Sequence, residues 1–345
     1  MTPTPRVAVV VAIEFSDLNL DAMLRNLDAA AHADVEFFFC RARSSEREPW
    51  PAALAQPLPA NVRCLDGAAQ ARIPHLWRDG IVAARAPWVA LLSAHCIPQP
   101  DWMAAVLALE WSADVAGIGG WFENDTAAGA SDWAIHLLRY VHFSRPRAEA
   151  GCSNIAADNA VYRRSEVLCH PDLLERGFWE PEFHRRFFAK GLQLRLAPEL
   201  RVVHRNRYTV AQFSHQRRDH GFMFGSDRAR RLGLGKLLLY LLASPLIPAV
   251  LWAKIEISSR RMGWHRATPS GTRLWLLYFT TQWASGEARG LACELLQRIG
   301  MHHAKPTTTP VGDRADVQCG RNHRALPGAA AGDAGQGRDR RADRG

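Results

Sequence analysis

Short apolar runs and mixed stretches alternate along the first third of the chain. Three runs, at 7–13, 35–40 and 88–92, are rich in Val, Phe and Leu and end at polar residues. Runs this short and apolar are typical of buried strands. The stretches at 20–31, 74–86 and 101–110 predict helices. Strands that alternate with helices predict an α/β fold with a mostly parallel sheet flanked by helices on both faces.

The end of the third predicted strand is the expected place for chemistry. Ligands of such sheets bind beyond the carboxyl ends of the strands. Ser93, Ala94, His95 and Cys96 follow one another at that point. We expect the first apolar run to be a strand and not a signal peptide, because its seven residues end at Glu14 without a small-residue cleavage site.

Composition narrows the class of protein. The chain has 345 residues, 48% of them hydrophobic, which excludes wholesale disorder and allows two domains or one large α/β domain. The seven Cys form no CxxC pair. Their odd number and spacing argue against a disulfide framework or a zinc finger and indicate a reducing compartment.

The net charge of +9 comes from a single segment. Residues 201–273 hold fourteen Lys and Arg against three Asp and Glu, and they bracket seventeen uncharged residues at 237–253. A basic patch can bind nucleic acid, but this one flanks an apolar run and lacks interleaved aromatic residues. Anionic membrane lipids are therefore the expected partner, and nucleic acid is not.

The apolar run at 237–253 does not predict a simple membrane span. It has the minimum length for one, and Pro245 and Pro248 interrupt it. A hairpin with the second run at 274–283 would carry Lys254 and Arg260 across the membrane, against the positive-inside tendency. We expect a peripheral, re-entrant or integral segment at the cytoplasmic face of the cell membrane. The alternative is a buried helix hairpin in a soluble protein.

The chain thus divides into three predicted parts. Residues 1–230 form the α/β domain, and residues 231–300 form a basic and apolar helical region associated with the membrane. Residues 301–345 are rich in Gly, Ala, Arg and Asp without a hydrophobic period, and they predict a disordered tail.

Six motifs follow one another in order over residues 5–230. They are the opening strand at 7–13, the stretch 76–92, the stretch 96–102, the stretch 159–164, the stretch 178–191 and the stretch 198–204. In this order they resemble the family 2 glycosyltransferases of the GT-A fold. The resemblance implies transfer of a sugar from a nucleotide-sugar donor to a lipid-linked or other membrane-proximal glycan acceptor, with inversion. The stretch after Gln216 lacks the Trp of processive synthases, so we expect transfer of a single sugar.

The metal motif departs from the family pattern. Its Asp-x-Asp falls on Ser93, Ala94 and His95, so both carboxylates are missing. The departing diphosphate is usually neutralised by Mn²⁺ or Mg²⁺. His95 and His204 are the candidate ligands, although His95 can equally be a polar residue at a strand end. A metal-free site is the other option, with Arg78, Arg217 or Arg218 neutralising the diphosphate.

The resemblance also places the catalytic carboxylate. An inverting transferase needs a base to deprotonate the acceptor hydroxyl. Glu180 matches the family's Glu, and Glu182 is the alternative because Pro181 replaces the usual following Asp. Residues two apart on a helix point in different directions, so we expect one of them to face the acceptor. Either can instead cap the helix that begins near Pro181.

The donor site is implied by the same resemblance. The family's loop before the Tyr-Arg-Arg of 162–164 touches the donor sugar and phosphates. The Asp that often holds the base after the second strand is absent, and Glu14 or Asp66 can replace it. The donor-binding candidates are Glu14, Arg78, Ser93, Asp158, Asn159 and Arg218.

The missing carboxylates keep a second hypothesis open. A GT-A-like protein without turnover would serve as a sugar-nucleotide binder or scaffold at the membrane. A binding isotherm without turnover would distinguish it from the enzyme.

Overall fold

The computed structural model describes residues 4–14, 19–43, 49–55, 57–69, 71–125, 127–144, 152–206 and 208–303. Within these residues eight strands form one sheet. They are β1 (Val7–Ile13), β2 (Val35–Ala42), β3 (Val62–Gly67), β4 (Trp88–Ser93), β5 (Cys96–Pro98), β6 (Val115–Asn124), β7 (Asn159–Arg163) and β8 (Gln193–His204). The order across the sheet is β3-β2-β1-β4-β7-β6-β8-β5.

Twelve α-helices lie in the described residues. They are α1 (Leu20–Leu27), α2 (Ala52–Ala55), α3 (Ile73–Ala83), α4 (Trp102–Leu107), α5 (Ala130–Tyr140), α6 (Arg164–Leu168), α7 (Pro171–Leu174), α8 (Glu180–Ala189), α9 (Val210–Arg231), α10 (Leu234–Ala243), α11 (Ile247–Arg261) and α12 (Thr272–His303). The three predicted strands and three predicted helices all form, and the helices are shorter than predicted.

The sheet is mixed, so the expectation of a mostly parallel sheet is wrong for its second half. Strands β3, β2, β1 and β4 run parallel to one another. Strand β7 is antiparallel to both β4 and β6, and β5 is antiparallel to β8, while β6 and β8 are parallel. An apolar run predicts a strand but carries no information on its direction, and β7 reverses direction between two neighbours.

Alternate residues of β1 pack into two separate hydrophobic cores, one on each face of the sheet. Val9 and Val11 pack in one hydrophobic cluster with α1 and α4 residues, and Val10 packs in another with α3 residues. A Cβ at Gly80 of α3 would lie 2.3 Å from Val10, so the helix sits directly on the strand. Because both faces are covered, every residue of β1 is buried.

Helices α9 and α12 pack with their backbones in contact. A Cβ on Gly221 would lie 2.0 Å from the carbonyl oxygen of Trp283, and one on Gly286 would lie 2.0 Å from that of Arg218. Gly225 and Gly290 complete a four-residue spacing of glycines on each helix. Small residues at this spacing let two helices approach closely. Helix α9 is thereby fixed along its length by α12.

The two apolar runs behave differently. Leu234–Arg261 is helical, long and apolar enough to cross a membrane by length and composition, and only 6% of its most apolar window is buried. The run at 274–283 lies in α12, where Leu276 and Phe279 are buried against α5 and α9 residues. The predicted tail lies outside the described residues from 304 onward, and the three-part division of the chain stays a prediction.

Candidate functional site

The carboxyl ends of β1 and β4 meet the start of β7. Glu14 follows β1, and Ser93 is the last residue of β4. The antiparallel register sets Asn159 opposite Leu92, which brings Asp158 to the end of β4. The Ser93 hydroxyl donates to Asp158 Oδ1 at 2.5 Å. The fold thus gathers polar residues at the sheet edge where the sequence predicted chemistry.

A buried ion pair is the centre of this site. Arg139 of α5 donates from Nη2 to Asp158 Oδ2 at 2.7 Å, and the two side chains are 8% and 7% exposed. Burial alone would raise the pKa of Asp158, but the Arg139 charge and the bond to His95 hold it well below its usual value. Asp158 is therefore ionised, and its charge is already compensated.

His95 is hydrogen-bonded through both ring nitrogens. Nε2 lies 3.0 Å from Ser93 Oγ, 3.3 Å from Asp158 Oδ1 and 3.2 Å from the Tyr140 hydroxyl. Nδ1 lies 3.2 Å from the Tyr208 hydroxyl. Burial, and next the Arg139 charge, lower the pKa of His95 to about 4, so the ring is neutral at pH 7.

His95, Cys96 and Asp158 could hold a metal ion. Their ligand atoms lie within 4.8 Å of one another, and all three residues are buried. Mn²⁺ and Mg²⁺ prefer oxygen ligands, whereas this group offers one carboxylate, which Arg139 neutralises. Burial also raises the pKa of the Cys96 thiol, which opposes the thiolate form that binds metals. The group as it stands fits a hard divalent ion poorly.

His204 ends β8 close to this group. It is fully buried, and neither ring nitrogen has a hydrogen-bond partner within the described ranges. Its ring centroid lies 5.6 Å from that of His95 and 5.1 Å from that of Tyr140. Burial keeps the pKa of His204 well below its usual value, so it is a neutral ring. Its role as a second metal ligand stays a prediction.

Gln216 of α9 links the centre of the site to Glu14. Its Nε2 donates to Glu14 Oε2 at 3.0 Å, and its Oε1 accepts from Arg139 at 3.4 Å and from Arg217 at 3.1 Å. Arg72 lies 3.4 Å from the other Glu14 oxygen. Burial raises the pKa of Glu14 even though Arg72 opposes it. Arg139 was not predicted, because no local pattern marks a residue that packing brings to a site. Gln216 was noted only as the start of a stretch that lacks the Trp of processive synthases.

Glu180 lines an open pocket at the start of α8. The pocket has a volume of about 200 Å³, and Trp179, Glu182 and His220 also line it. Glu180 itself is half-buried. Burial, and next the charge on Asp158, raise the pKa of Glu180 to about 7. The carboxyl group is thus within electrostatic reach of the buried ion pair and close to half-ionised at neutral pH.

Glu182 stands in a different environment on the same helix. Its carboxylate forms an ion pair with the Arg176 guanidinium through both oxygens. A carboxylate engaged in this way is less available to accept a proton from a ligand. The two carboxylates that the sequence left as alternatives thus lie in different environments, and the choice between them stays a prediction.

The side-chain amide of Asn159 forms hydrogen bonds within the protein. Its Oδ1 accepts from Trp102 Nε1 at 2.8 Å, and its Nδ2 donates to the carbonyl oxygens of Leu200 at 2.9 Å and Trp121 at 3.2 Å. The side chain is fully buried. Its amide holds β7 to β8 and α4, which leaves its expected contact with a donor without support from the geometry.

Two of the three predicted cations, Arg78 and Arg218, have partners elsewhere. Arg78 pairs with Asp79 at 2.7 Å, and Arg218 donates to Gln282 at 2.6 Å. In the part of the chain described, neither is bonded to Ser93, His95 or Asp158. Asp66, the alternative base-binding carboxylate, forms ion pairs with Arg41 and Arg43.

Comparison with known proteins finds distant structural similarity without a match in sequence. No protein-family model matches the sequence, and no curated protein matches it. The solved structure of the mannosyltransferase PcManGT from Pyrobaculum calidifontis, in complex with GDP-Man and Mn²⁺, is similar over 86% of this chain and 88% of that chain. The identity is 16% and the TM-score is 0.46. A likeness at this level assigns neither an activity nor a residue role.

Proposed function

We propose that the protein is a glycosyltransferase of the GT-A type, resembling family 2, that moves one sugar from a nucleotide-sugar donor to an acceptor hydroxyl. One observation carries the proposal. Glu180 lines an open pocket, the charges of the buried Asp158–Arg139 pair act on its carboxyl group, and its pKa is raised to about 7. A carboxyl group tuned to the working pH is suited to proton transfer, and perturbed groups of this kind cluster at functional sites.

The chemistry follows from these positions. Glu180 accepts the proton of the acceptor hydroxyl as its oxygen attacks the anomeric carbon of the sugar. The bond from that carbon to the diphosphate breaks, and the electron pair leaves with the diphosphate oxygen. Attack from the face opposite the leaving group inverts the configuration. Glu14 follows β1 at the carboxyl edge of the sheet, where the nucleoside of a donor would lie.

The acceptor is proposed to be a lipid-linked or other glycan close to a membrane. Leu239, Leu242 and Leu246 are 64%, 80% and 66% exposed on one helical segment, and Lys254 and Arg260 lie on its continuation. Apolar area next to basic side chains suits a surface of anionic lipid. We place this surface at the cytoplasmic face of the cell membrane.

A donor screen with two matched variants tests the proposal. Purified full-length protein in detergent is incubated with sugar nucleotides and glycan acceptors, and nucleoside diphosphate release is measured. Glu180→Gln should lower turnover by about 10²- to 10⁴-fold with donor binding retained. Glu182→Gln should keep most of the turnover, because Arg176 already engages that carboxylate. Wild-type turnover should rise with pH through about 7 as Glu180 loses its proton.

Unchanged turnover in Glu180→Gln would contradict the assignment of the base. A loss confined to Glu182→Gln would move the role to that residue.

A catalytically inactive sugar-nucleotide binder is the second candidate. It is favoured by the engagement of Asp158 with Arg139 and of both His95 nitrogens with hydroxyl groups. Saturable binding of a sugar nucleotide without turnover of any acceptor would support it over the enzyme.

A further inference from the structure

Arg217 of α9 is a buried guanidinium without a carboxylate partner. It is 6% exposed, and no Asp or Glu oxygen of the described ranges lies within ion-pair distance of it. Its Nη2 donates to Gln216 Oε1 at 3.1 Å and to His220 Nδ1 at 3.3 Å, which are both neutral acceptors. Its Nε is buried and has no hydrogen-bond partner among the described residues.

This arrangement is costly for the protein alone. A buried charge is normally paired, because its removal from water is unfavourable unless an opposite charge compensates it. Burial, and next the charge on Arg139, lower the pKa of Arg217 to about 9, so the group is still a cation at neutral pH. The Phe213 ring centroid lies 4.8 Å from the Arg217 guanidinium carbon but carries no net charge. A buried cation without an ion-pair partner in the described residues points to an anion that arrives from outside.

The position of Arg217 identifies where that anion would lie. His220, which accepts its hydrogen bond, lines the same pocket as Glu180 and stacks edge-on against Trp179 at 5.2 Å. Arg217 is also close enough to Glu180 to oppose the rise in its pKa. The buried cation is therefore one hydrogen bond, through His220, from the pocket that Glu180 lines.

The chemistry of the Asp158–Arg139 pair also favours an arginine over a metal ion as the partner of a diphosphate. A metal ion that neutralises a diphosphate needs carboxylates that are free to coordinate it. Asp158 is instead paired with Arg139 at 2.7 Å. A guanidinium presents parallel N–H donors that match the oxygen atoms of a phosphate. Arg139 thus pairs with the carboxylate that contacts Ser93 and His95, and Arg217 shares the acceptor Gln216 Oε1 with Arg139.

We propose that Arg217, supported by Arg139, binds the diphosphate of the nucleotide donor and balances its charge as the sugar leaves, in place of a carboxylate-bound cation. The inference rests on the proposed glycosyltransferase function and specifies its substrate chemistry. When the bond from the anomeric carbon to the diphosphate breaks, the electron pair goes to a phosphate oxygen next to Arg217. No proton or metal ligand exchange is needed at that oxygen.

Calorimetric titration of full-length protein with UDP and GDP, and with uridine and guanosine, tests this inference. In excess EDTA at least one diphosphate should bind, and its nucleoside should bind at least about tenfold more weakly. Arg217→Gln should weaken diphosphate binding at least about tenfold, and Arg217→Lys should restore part of it because it keeps the charge. Arg201→Gln is the matched control, since Arg201 is a surface residue paired with Asp101, and it should bind as wild type.

Thermal unfolding of the free protein separates a ligand-binding role from a structural one. Arg217→Met removes a buried charge that has no ion-pair partner, so its Tm should be at least that of wild type while UDP or GDP no longer raises it. A structural role predicts a lower Tm for Arg217→Met in the absence of nucleotide.

The outcomes distinguish this inference from the function on which it rests. Diphosphate binding that requires Mn²⁺ and disappears in EDTA would overturn the inference and leave the glycosyltransferase in place. Unchanged affinity in Arg217→Gln would overturn it as well. Failure of every nucleoside diphosphate and sugar nucleotide to bind, with or without Mn²⁺, would contradict the proposed function itself.

Discussion

The half-buried Glu180 should make the folded protein less stable as the pH rises. The pKa of this group is raised from its ordinary value of 4.5 to about 7. Between these values the folded protein keeps a proton that the unfolded chain has released. Stability is lost wherever the folded state binds more protons than the unfolded state and the pH increases. The effect is therefore absent below pH 4.5 and complete above pH 7.

The size of the effect follows from the shift in the pKa. Each unit corresponds to 1.36 kcal/mol, so the free energy of unfolding is lowered by about 3 kcal/mol at pH 8. Glu180→Gln keeps the size of the side chain and cannot ionise. It should be more stable than wild type by up to about 3 kcal/mol at pH 8 and close to wild type at pH 4.5, on the same linkage relation.

Urea unfolding of both proteins across this pH range measures the difference. Glu182→Gln is the control, because it removes only a partly exposed ion pair with Arg176 and should lower stability by about 0–1 kcal/mol at either pH. A Glu180→Gln protein with the same stability difference from wild type at pH 4.5 and pH 8 would refute the reasoning.

Two further predictions concern the C-terminal helices. Gly286→Ala puts a Cβ 2.0 Å from the Arg218 carbonyl oxygen and should lower the free energy of unfolding by about 1–3 kcal/mol. A Cβ at Gly235 meets no described atom within 4 Å, so Gly235→Ala should raise the free energy of unfolding by up to about 1 kcal/mol. Urea unfolding measures both, and equal effects would contradict the close packing. Leu242→Glu should reduce sedimentation with anionic vesicles, and high salt should release the wild type only in part, because salt does not screen apolar burial. Vesicle binding equal to that of wild type would argue against the lipid surface.

The strands of the first half of the sheet were predictable because burial leaves a direct trace in the sequence. Strand β1 is covered on both faces, so it is one unbroken apolar run, and its predicted bounds are those observed. Strand β7 has five residues and takes its direction from its neighbours, which no period in the sequence encodes.

The candidate site was predictable only where a motif follows a strand or opens a helix. Ser93 and Asp158 lie at strand ends, and Glu180 opens a helix, so their positions were visible in the chain. Arg139 lies 19 residues before Asp158, Gln216 lies 202 residues after Glu14, and both reach the site through tertiary packing. Their roles depend on a contact that exists only after folding.

The glycine contact between α9 and α12 has a consequence for folding during translation. Helix α9 carries Gln216 and Arg217, and its seat is made by residues up to Gly290. A nascent chain in which Asp158 and Glu180 have left the ribosome still lacks α12, the helix that packs against α9. Domains fold as units during synthesis, so the site is assembled among its last events. The order of translation itself thus keeps an unfinished chain from presenting a complete site.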